Sequence, residues 1–485
     1  MRHSSSPWAL LVLSGCVGLA SLGGQGGGAA TGGGGGGGGT GGGGGARPDA
    51  GVPDGGLARY PVDTLHSPLT PFVAARLRLA LAAHPRQPGV FMKLGDNNHA
   101  PDHFLGCFDV VDHVPYDLGA HGELQATLAA FQATTLGGTV TSFSRAPLTV
   151  GESLGAQDEL TPLPSRLQQE VDAIDPAFAS LSFGIGEAFT GGDHLPSLGN
   201  DRARLEALGP WVLEMVEALL DQGVVPLVRS PPRTHDEAGN LTAILPTFGA
   251  VLRGIAEAHQ VPFADFQAAA FPLPHHGMDD DSTTPHLSPF YDSSLSQCDL
   301  TDAGLRLGIN LMNLVTLEQL DRVRRATAEG QAVDPASSAA PPIDGVGSAG
   351  SPRVVDHLPF TDFQDLGQGL GPDRADYSGA CGGSSGETLP SVVYRLDVAT
   401  GTKVHAGLVG HRAASASFRL HHFAGDLASC LGSDGASARE SALLELTLAP
   451  GTHFFVVDGV PRAGARPPRV LFFVTACEPN EACGG

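Results

Sequence analysis

Histidines and carboxylates gather where an apolar run of the sequence ends. Residues 90–94 (Val-Phe-Met-Lys-Leu) predict a short strand that stops at Gly95. Side chains able to bind a metal ion or relay protons follow that strand and a later one: Asp96, His99, Asp102, His103 and Glu187. In a chain with 51 acidic residues and 19 histidines, solvated loop residues are the other interpretation, and the one that we favour.

One serine lies in a string that is typical of hydrolase nucleophiles. Residues 151–155 (Gly-Glu-Ser-Leu-Gly) match Gly-x-Ser-x-Gly, a pattern that needs a strand before it and a helix after it. Pro147 disfavours the strand, and Pro162 and Pro164 leave little room for the helix. We therefore interpret Ser153 as a loop serine.

The elements that would position these groups alternate between strands and helices over residues 60–326. Predicted strands cover residues 90–94, 178–183, 224–228 and 261–266. Predicted helices begin at Thr70 and Asn200, include Leu124 and Phe131, and cover residues 241–259 and 301–325. Short apolar strands between helices of this length indicate a parallel sheet covered on both faces, so the predicted class is α/β.

Beyond residue 327 the pattern changes. Residues 327–352 are rich in Pro, Ala, Ser and Gly and predict a linker. Over residues 353–485, Gly, Pro and Asp turns separate short β runs at residues 392–398, 403–409, 417–423, 443–448, 453–457 and 470–474. Strands at this spacing predict an all-β sandwich with antiparallel sheets.

The first 16 residues are typical of an export signal, with a basic start, a short apolar run and small residues before Cys16. Residues 13–16 (Leu-Ser-Gly-Cys) resemble the bacterial lipobox, which implies that Cys16 is diacylated and anchors the chain to a membrane. An ordinary signal with an incidental cysteine is the alternative. Residues 17–59 are dominated by glycine and predict a disordered tether. Because Val17 follows the cysteine, we expect the chain to be localised at the outer membrane or the cell surface.

The overall charge narrows the classes of partner. The formal net charge is -23, with only 28 lysines and arginines. Binding to nucleic acid needs a basic surface, so we exclude that class. No Gly-x-Gly-x-x-Gly follows a predicted strand, and no Cys-x-x-Cys occurs, so no dinucleotide cofactor and no structural zinc are indicated. We expect a monomer whose acidic surface favours solubility.

Six cysteines follow Cys16, and an even number predicts disulfide bonds in an exported protein. Their placement within the predicted domains favours the pairs Cys107–Cys298, Cys381–Cys430 and Cys477–Cys483. Other pairings of the six stay open at this point.

Several segments of residues 85–325 resemble the SGNH (GDSL) hydrolase family, and they occur in the family's order. The predicted first strand runs into Gly95, Asp96 and Asn97, where the family has Gly-Asp-Ser. Later segments resemble further strands, the Asp-x-x-His segment and the closing helix: residues 223–233, 261–266, 279–286 and 301–314. The resemblance implies a three-layer αβα fold, a cleft outside the carboxyl ends of its strands and activity on ester bonds.

The residues at the family's catalytic positions depart from its pattern. Asn97 stands at the nucleophile position, and an amide cannot form an acyl ester. The family's two oxyanion-hole positions fall on Gly119 and Gly186. Gly186 replaces a side-chain amide donor, and the loss of one such donor typically destabilises the transition state by about 2.7–4 kcal/mol. The resemblance assigns the general base to His286, with Asp281 five residues ahead instead of three. We therefore expect impaired catalysis and a scaffold retained for binding.

The C-terminal part resembles pre-peptidase C-terminal domains, which are β-sandwiches. The resemblance depends on residues 391–396 and on residues 448–459, a predicted strand–turn–strand hairpin. It implies an accessory role in binding a substrate or a surface. Asp426, Asp434 and Asp458 are candidate calcium ligands here, and acidic turn residues are the ordinary alternative.

Three functions follow as hypotheses. The first is a lipid-anchored binding protein of the cell envelope that offers its cleft to a glycan, a lipid or an acyl group. The second is a residual esterase that works through His286 with Ser153, another nucleophile or a bound water. The third is a structural envelope protein whose cleft is closed by side chains.

Overall fold

Among the described residues, helices alternate with strands in the first part of the chain, and strands predominate in the second. The computed structural model describes residues 57–95, 98, 104–109, 115–136, 138, 140–145, 165–188, 201–234, 244–279, 286–288, 298–331, 334–366, 377, 381, 391–411, 417–436, 441–460 and 469–477. These residues belong to one compact unit, residues 48–485. Cys16, the predicted export signal and most of the predicted tether lie outside the described residues.

The described α-helices are α1 (Pro71–Ala83), α2 (Gln125–Gln132), α3 (Arg166–Ile174), α4 (Ile185–Ala188), α5 (Asp201–Asp221), α6 (Ile244–His259), α7 (Phe266–Ala270) and α8 (Gly308–Thr327). Short 3-10 helices lie at Gly106–Phe108, Gly122–Leu124, Pro274–Gly277, Gly304–Arg306 and Ala336–Ser338. Local sequence explains where several helices begin: Thr70 caps α1 by accepting a hydrogen bond from Val73 N, and Ser165 caps α3 in the same way. Among the described residues, no helix is both long and apolar enough to cross a bilayer.

Four strands form a parallel sheet in the order β1-β2-β3-β4: β1 (Gln87–Gly95), β2 (Pro176–Ser182), β3 (Val225–Arg229) and β4 (Phe263–Ala264). Strands β2 and β3 are buried along their whole length, as expected of a sheet that helices cover on both faces. The predicted α/β class with a parallel sheet is confirmed. Because the strands are parallel, their carboxyl ends meet at one edge, where Gly95 pairs with Ser182.

Two elements of this part are shorter than the sequence predicts. Residues 261–266 predict a strand, but only Phe263–Ala264 pair with β3. The strand ends because the side chain of Asp265 accepts a hydrogen bond from Ala268 N and caps α7. The closing helix α8 begins at Gly308, after a 3-10 turn, and not at residue 301.

The C-terminal strands are β5 (Arg353–Val355), β6 (Phe360–Asp365), β7 (Ser391–Val398), β8 (Thr402–Gly410), β9 (Ser417–Ala424), β10 (Cys430–Ala436), β11 (Ser441–Leu448), β12 (Gly451–Val460) and β13 (Arg469–Ala476). They form two sheets, in the orders β10-β9-β12-β7-β5 and β11-β8-β13-β6. Every described pair is antiparallel except β5 with β7. The predicted β-sandwich is confirmed, and all six predicted runs are strands. The unpredicted β10 is an edge strand rich in Gly, Ser and Asp, residue types that are depleted in strands.

Helices α5 and α6 lie between the parallel sheet and the sheet β11-β8-β13-β6. Apolar side chains of that second sheet therefore join the α/β core: Val409, Leu443, Leu471 and Phe473. Two helix glycines permit the close approach. A Cβ on Gly209 would lie 2.8 Å from Val409 Cγ2, and one on Gly254 would lie 2.7 Å from Leu471 Cδ1. One face of this sheet thus joins the α/β core, while the sandwich also has a core of its own.

Candidate functional site

The carboxyl edge of the parallel sheet is where the resemblance places a site. Several predicted residues lie outside the described residues: Asp96, Asn97, His99, Asp102, His103, Ser153 and Asp281. The structure describes the remaining ones, which are Gly119, Gly186, Glu187 and His286. It also describes Asn98, the residue after the nucleophile position.

The segment that carries His286 is tied to the segment that follows β1. Asn98 is buried, and its side-chain Oδ1 accepts a hydrogen bond from Leu287 N at 2.9 Å. His286 is buried as well, and its carbonyl oxygen accepts a hydrogen bond from Asp279 N at 2.9 Å. The side-chain amide of Asn98 therefore links the segment after β1 to the segment of His286. These are the two segments to which the resemblance assigns the nucleophile position and the general base.

The carboxylate of Glu187 binds the backbone at the end of β2. Glu187 follows Gly186 in α4 and is 2% exposed, and its Oε2 accepts a hydrogen bond from Gly184 N at 2.9 Å. Gly184 has a φ of 129°, and a Cβ there would lie 2.9 Å from Pro231 Cγ. The carboxylate thus stabilises a tight glycine turn.

The predicted oxyanion donor Gly119 also has a local partner. Its N–H donates a hydrogen bond to Asp117 Oδ1 at 2.9 Å. Its φ is +54°, and a Cβ there would lie 2.6 Å from the carbonyl oxygen of Leu300. Conformation and close packing therefore require glycine at this position, and its amide is engaged in a turn.

Two buried cations lie on the strands near this edge. Lys93 on β1 donates hydrogen bonds to the carbonyl oxygens of Phe104, at 3.3 Å, and Phe143, at 2.9 Å. Arg229, the last residue of β3, donates to Thr316 Oγ1, and its guanidinium carbon lies 5.2 Å from the centre of the Phe104 ring. Lys93 thus links β1 to the segments around Phe104 and Phe143, and Arg229 links β3 to α8. Both side chains support the edge of the sheet.

A cavity of about 360 Å³ lies between the α/β part and the sandwich. Its lining includes residues that follow β3 and β4, residues of α6 and residues of the sandwich, among them Arg233, Arg253, Asp265, Phe271, Pro359 and Thr475. The two arginines belong to none of the candidate site residues predicted from the sequence. The available signals are that Arg233 follows a predicted strand and that Arg253 interrupts an apolar helix.

The cavity wall combines cations, a carboxylate and an aromatic ring. Burial lowers the pKa of Arg253, while the charges of Asp265 and Glu257 raise it. The guanidinium carbon of Arg233 lies 4.8 Å from the centre of the Phe271 ring. Guanidinium groups bind carboxylates through paired hydrogen bonds, and a ring offers an apolar surface. This lining suits a ligand that is both polar and anionic.

Two of the predicted disulfides are present, Cys107–Cys298 and Cys381–Cys430. Cys477 is also disulfide-bonded. Cys483, its predicted partner, lies outside the described residues.

The three candidate calcium ligands of the sandwich contact different groups. Asp426 accepts hydrogen bonds from two backbone N–H groups of its own turn, those of residues 428 and 429. Asp434 accepts one from Arg202, and Asp458 hydrogen-bonds His421. The described contacts do not assemble these carboxylates into one site.

Comparisons with known proteins find weak likenesses to solved structures alone. No family model matches the chain, and no curated protein matches it. The pre-peptidase C-terminal domain of a collagenase from Bacillus anthracis is 15% identical, covers 24% of this chain and 90% of that domain, and has a TM-score of 0.17. A family 35 carbohydrate binding module from an environmental isolate is 14% identical, covers 19% of this chain and 68% of that one, and has a TM-score of 0.15. Another, from Cellvibrio japonicus, is 14% identical, with coverages of 20% and 82% and a TM-score of 0.14. Likenesses at these TM-scores carry no argument about function.

Proposed function

We propose that this protein is a binding protein of the cell envelope, with an α/β part related to SGNH hydrolases but without their serine chemistry, and that it binds an acidic glycan. The observation that carries the proposal is the cavity of about 360 Å³ in which Arg233 and Arg253 lie with Phe271. Ligands of open α/β folds bind beyond the carboxyl ends of the strands, and the residues after β3 and β4 line this cavity.

The lining favours an acidic sugar over an acyl chain. A guanidinium group binds a carboxylate with two parallel hydrogen bonds, which also fixes the orientation of the ligand. Arg253 is held in place because it donates a hydrogen bond to the carbonyl oxygen of Pro359 at 2.8 Å. Asp265 can accept hydrogen bonds from sugar hydroxyls. An acyl chain would instead strip water from these charged groups without pairing them, which is unfavourable.

The residues at the carboxyl edge of the parallel sheet support binding without hydrolysis. Asn97 supplies no nucleophilic hydroxyl. The described polar groups of this edge support the backbone: Asn98 accepts a hydrogen bond from Leu287 N, and Glu187 accepts one from Gly184 N. A Gly119 amide that already donates to Asp117 is a poor oxyanion donor.

Export and lipid anchoring complete the proposal. Residues 13–16 support diacylation of Cys16, and residues 17–59 would hold the folded body away from the membrane. The disulfides Cys107–Cys298 and Cys381–Cys430 suit an oxidising compartment.

The test is a calorimetric titration with an oligogalacturonate and with an uncharged oligosaccharide of the same length. We expect the acidic ligand alone to bind, and Arg233→Gln to weaken its binding at least about tenfold, because a hydrogen bond to a charged group is worth about 1.5–3 kcal/mol. Arg306→Gln removes an exposed arginine outside the cavity lining and is the matched control.

Two results would overturn the proposal. Equal affinity for both oligosaccharides, or an unchanged affinity in Arg233→Gln, would remove the cavity as an acidic-glycan site. Covalent labelling of any serine by a fluorophosphonate would contradict the absence of serine chemistry.

A further inference from the structure

Three side chains with metal-binding atoms converge where α5 begins on the sandwich. Asp201 is the first residue of α5, His405 lies on β8, and Glu445 lies on β11. His405 and Glu445 are direct partners in the β8–β11 ladder, so their side chains point to the same face of the sheet. One ligand atom from each of the three residues lies within 4.8 Å of the others.

The imidazole of His405 is fixed and directed into this group. His405 is 1% exposed, and its Nδ1 forms a hydrogen bond with Thr247 Oγ1 at 2.9 Å. Thr247 Oγ1 in turn lies 3.0 Å from Thr475 Oγ1. The other ring nitrogen, Nε2, has no hydrogen-bond partner in the described part of the chain and lies 3.8 Å from Asp201 Oδ2.

The surroundings match those of a metal ligand set. Metal-binding histidines nearly always engage their second ring nitrogen with an outer group, as His405 does with Thr247. Asp201 presents Oδ2 to the imidazole while its Oδ1 accepts a hydrogen bond from Arg204 at 2.9 Å, so its orientation is set as well. A gap of 3.8 Å is too wide for a hydrogen bond but close to the separation of about 3.4 Å between two ligand atoms on a tetrahedral zinc ion.

We propose that Asp201, His405 and Glu445 form a divalent metal site, with zinc as the preferred ion, that fastens the start of α5 to the sandwich. One nitrogen and two carboxylate oxygens favour zinc over calcium or magnesium, which prefer sets made only of oxygen. Glu445 is exposed, so solvent supplies the fourth ligand. None of its ligands lines the glycan cavity, which the site approaches only through Thr475, the neighbour of Thr247.

The experiment strips the full chain with EDTA and then titrates it with zinc, following heat of binding, metal content and thermal unfolding. We expect one zinc ion per chain and a higher unfolding temperature, because a ligand bound only by the folded state stabilises it. Calcium and magnesium should neither bind there nor displace zinc. Zinc should slow amide hydrogen exchange at the start of α5 and in β8 and β11.

Variants identify the ligands. Glu445→Gln and Asp201→Asn keep the side-chain shape, and each should weaken zinc binding by at least about 10–100-fold, the loss that outer groups alone can cause. Asp397→Asn, at an exposed carboxylate of β7, is the matched control and should bind zinc normally. His405→Ala should abolish binding, and the two isosteric variants decide the matter if that variant does not fold. Absence of zinc binding in the unaltered chain, or unchanged affinity in both isosteric variants, would overturn the proposal.

Discussion

The two halves of the structure use their buried polar groups differently. At the carboxyl edge of the parallel sheet, side-chain oxygens of Asn98 and Glu187 accept hydrogen bonds from backbone N–H groups. In the sandwich, several buried histidines keep one ring nitrogen without a hydrogen-bond partner among the described residues: Nε2 of His405, and Nδ1 of His421 and His422. A resemblance to hydrolases directs attention to the first region, whereas a ring nitrogen with two carboxylates beside it, that of His405, lies in the second.

Backbone geometry explains this difference. Where parallel strands end, the chain turns and leaves N–H groups without ladder partners, and buried ones must be paired. Antiparallel strands satisfy their backbone within the ladder, so the side chains on each face are available for other contacts. His405 and Glu445 are ladder partners and need not support the backbone. The β8–β11 ladder therefore leaves the side chains of His405 and Glu445 available for the proposed metal site.

The largest expected effect tests the buried pair His421–Asp458. Nε2 of His421 lies 3.1 Å from Asp458 Oδ2, and the two side chains are 2% and 1% exposed. His421→Leu leaves the carboxylate buried without this partner, so we expect a loss of about 3–5 kcal/mol in the free energy of unfolding. Urea denaturation would measure this loss, with the same dependence of the unfolding free energy on urea concentration in both proteins.

A double variant and a surface pair control this prediction. His421→Leu with Asp458→Leu removes both members, and we expect it to recover a large part of the loss. Asp356→Ala breaks the exposed pair with His357 and should cost less than about 1 kcal/mol. A loss in His421→Leu no greater than that in Asp356→Ala would show that the sandwich does not depend on its buried polar pairs.

The sequence predicts the elements better than the site. Residues 90–94 predict β1 because an apolar run ends at glycine, and the apolar residues of α6 indicate a helix covered on several sides. Local patterns suffice in these cases. The extent of β4 does not follow from its apolar run, because the cap formed by Asp265 competes with the strand.

The proposed metal ligands carry no local signal. Asp201 lies 204 residues before His405, and Glu445 follows 40 residues later on a strand that pairs with β8. A motif search needs ligands at short, fixed spacings, whereas these meet only because α5 packs on the sandwich. The two arginines of the cavity lie 20 residues apart, and both belong to the α/β part. The cavity forms where sandwich residues such as Pro359 and Thr475 pack beside them, and periodicity does not encode that packing.

A moderate effect is expected at the strand edge. Asn98→Ala removes the acceptor of Leu287 N, and an unpaired buried N–H costs about 1–3 kcal/mol. Asn98→Asp keeps an oxygen at the same place and, at an acidic pH where its buried carboxyl is protonated, should lose less stability. Urea unfolding of both variants tests whether the hydrogen bond from Leu287 N matters. If the side chain of Asn98 only filled space, Asn98→Ala and Asn98→Asp would be equally stable.

The smallest effect concerns the boundary between the two halves, where α5 meets β8 and β13. His411 Nε2 donates a hydrogen bond to Glu217 Oε2 at 2.7 Å, and Arg469 donates one to Glu217 Oε1 at 3.0 Å. Two further groups face this pair: Glu214 lies 3.8 Å from His411 Nδ1, and His259 lies 3.6 Å from Glu217 Oε1. The cluster joins the halves by charge in addition to their shared apolar core.

The cluster contributes less stability at both ends of the pH range: Glu217 loses its contribution at low pH, and His411 loses its contribution at high pH. Burial raises the pKa of Glu217, but the hydrogen bond from His411 and the charges of His259, His411 and Arg469 lower it to about 2. Glu217 therefore stabilises the fold above its ordinary pKa of 4.5 and loses that contribution as the pH falls toward 2. The hydrogen bond to Glu217 raises the pKa of His411, so its contribution is complete below 6.5 and is lost as the pH rises through the raised value.

Comparing Glu217→Gln with the unaltered chain by urea unfolding from pH 2 to 9 measures this contribution. We expect a difference of about 1 kcal/mol, because the partners are partly exposed and screened by solvent. The difference should be largest between about pH 4.5 and 6.5, where both groups are charged in the folded state. A difference that stays constant over the whole range would mean that shape and apolar packing alone join the α/β part to the sandwich.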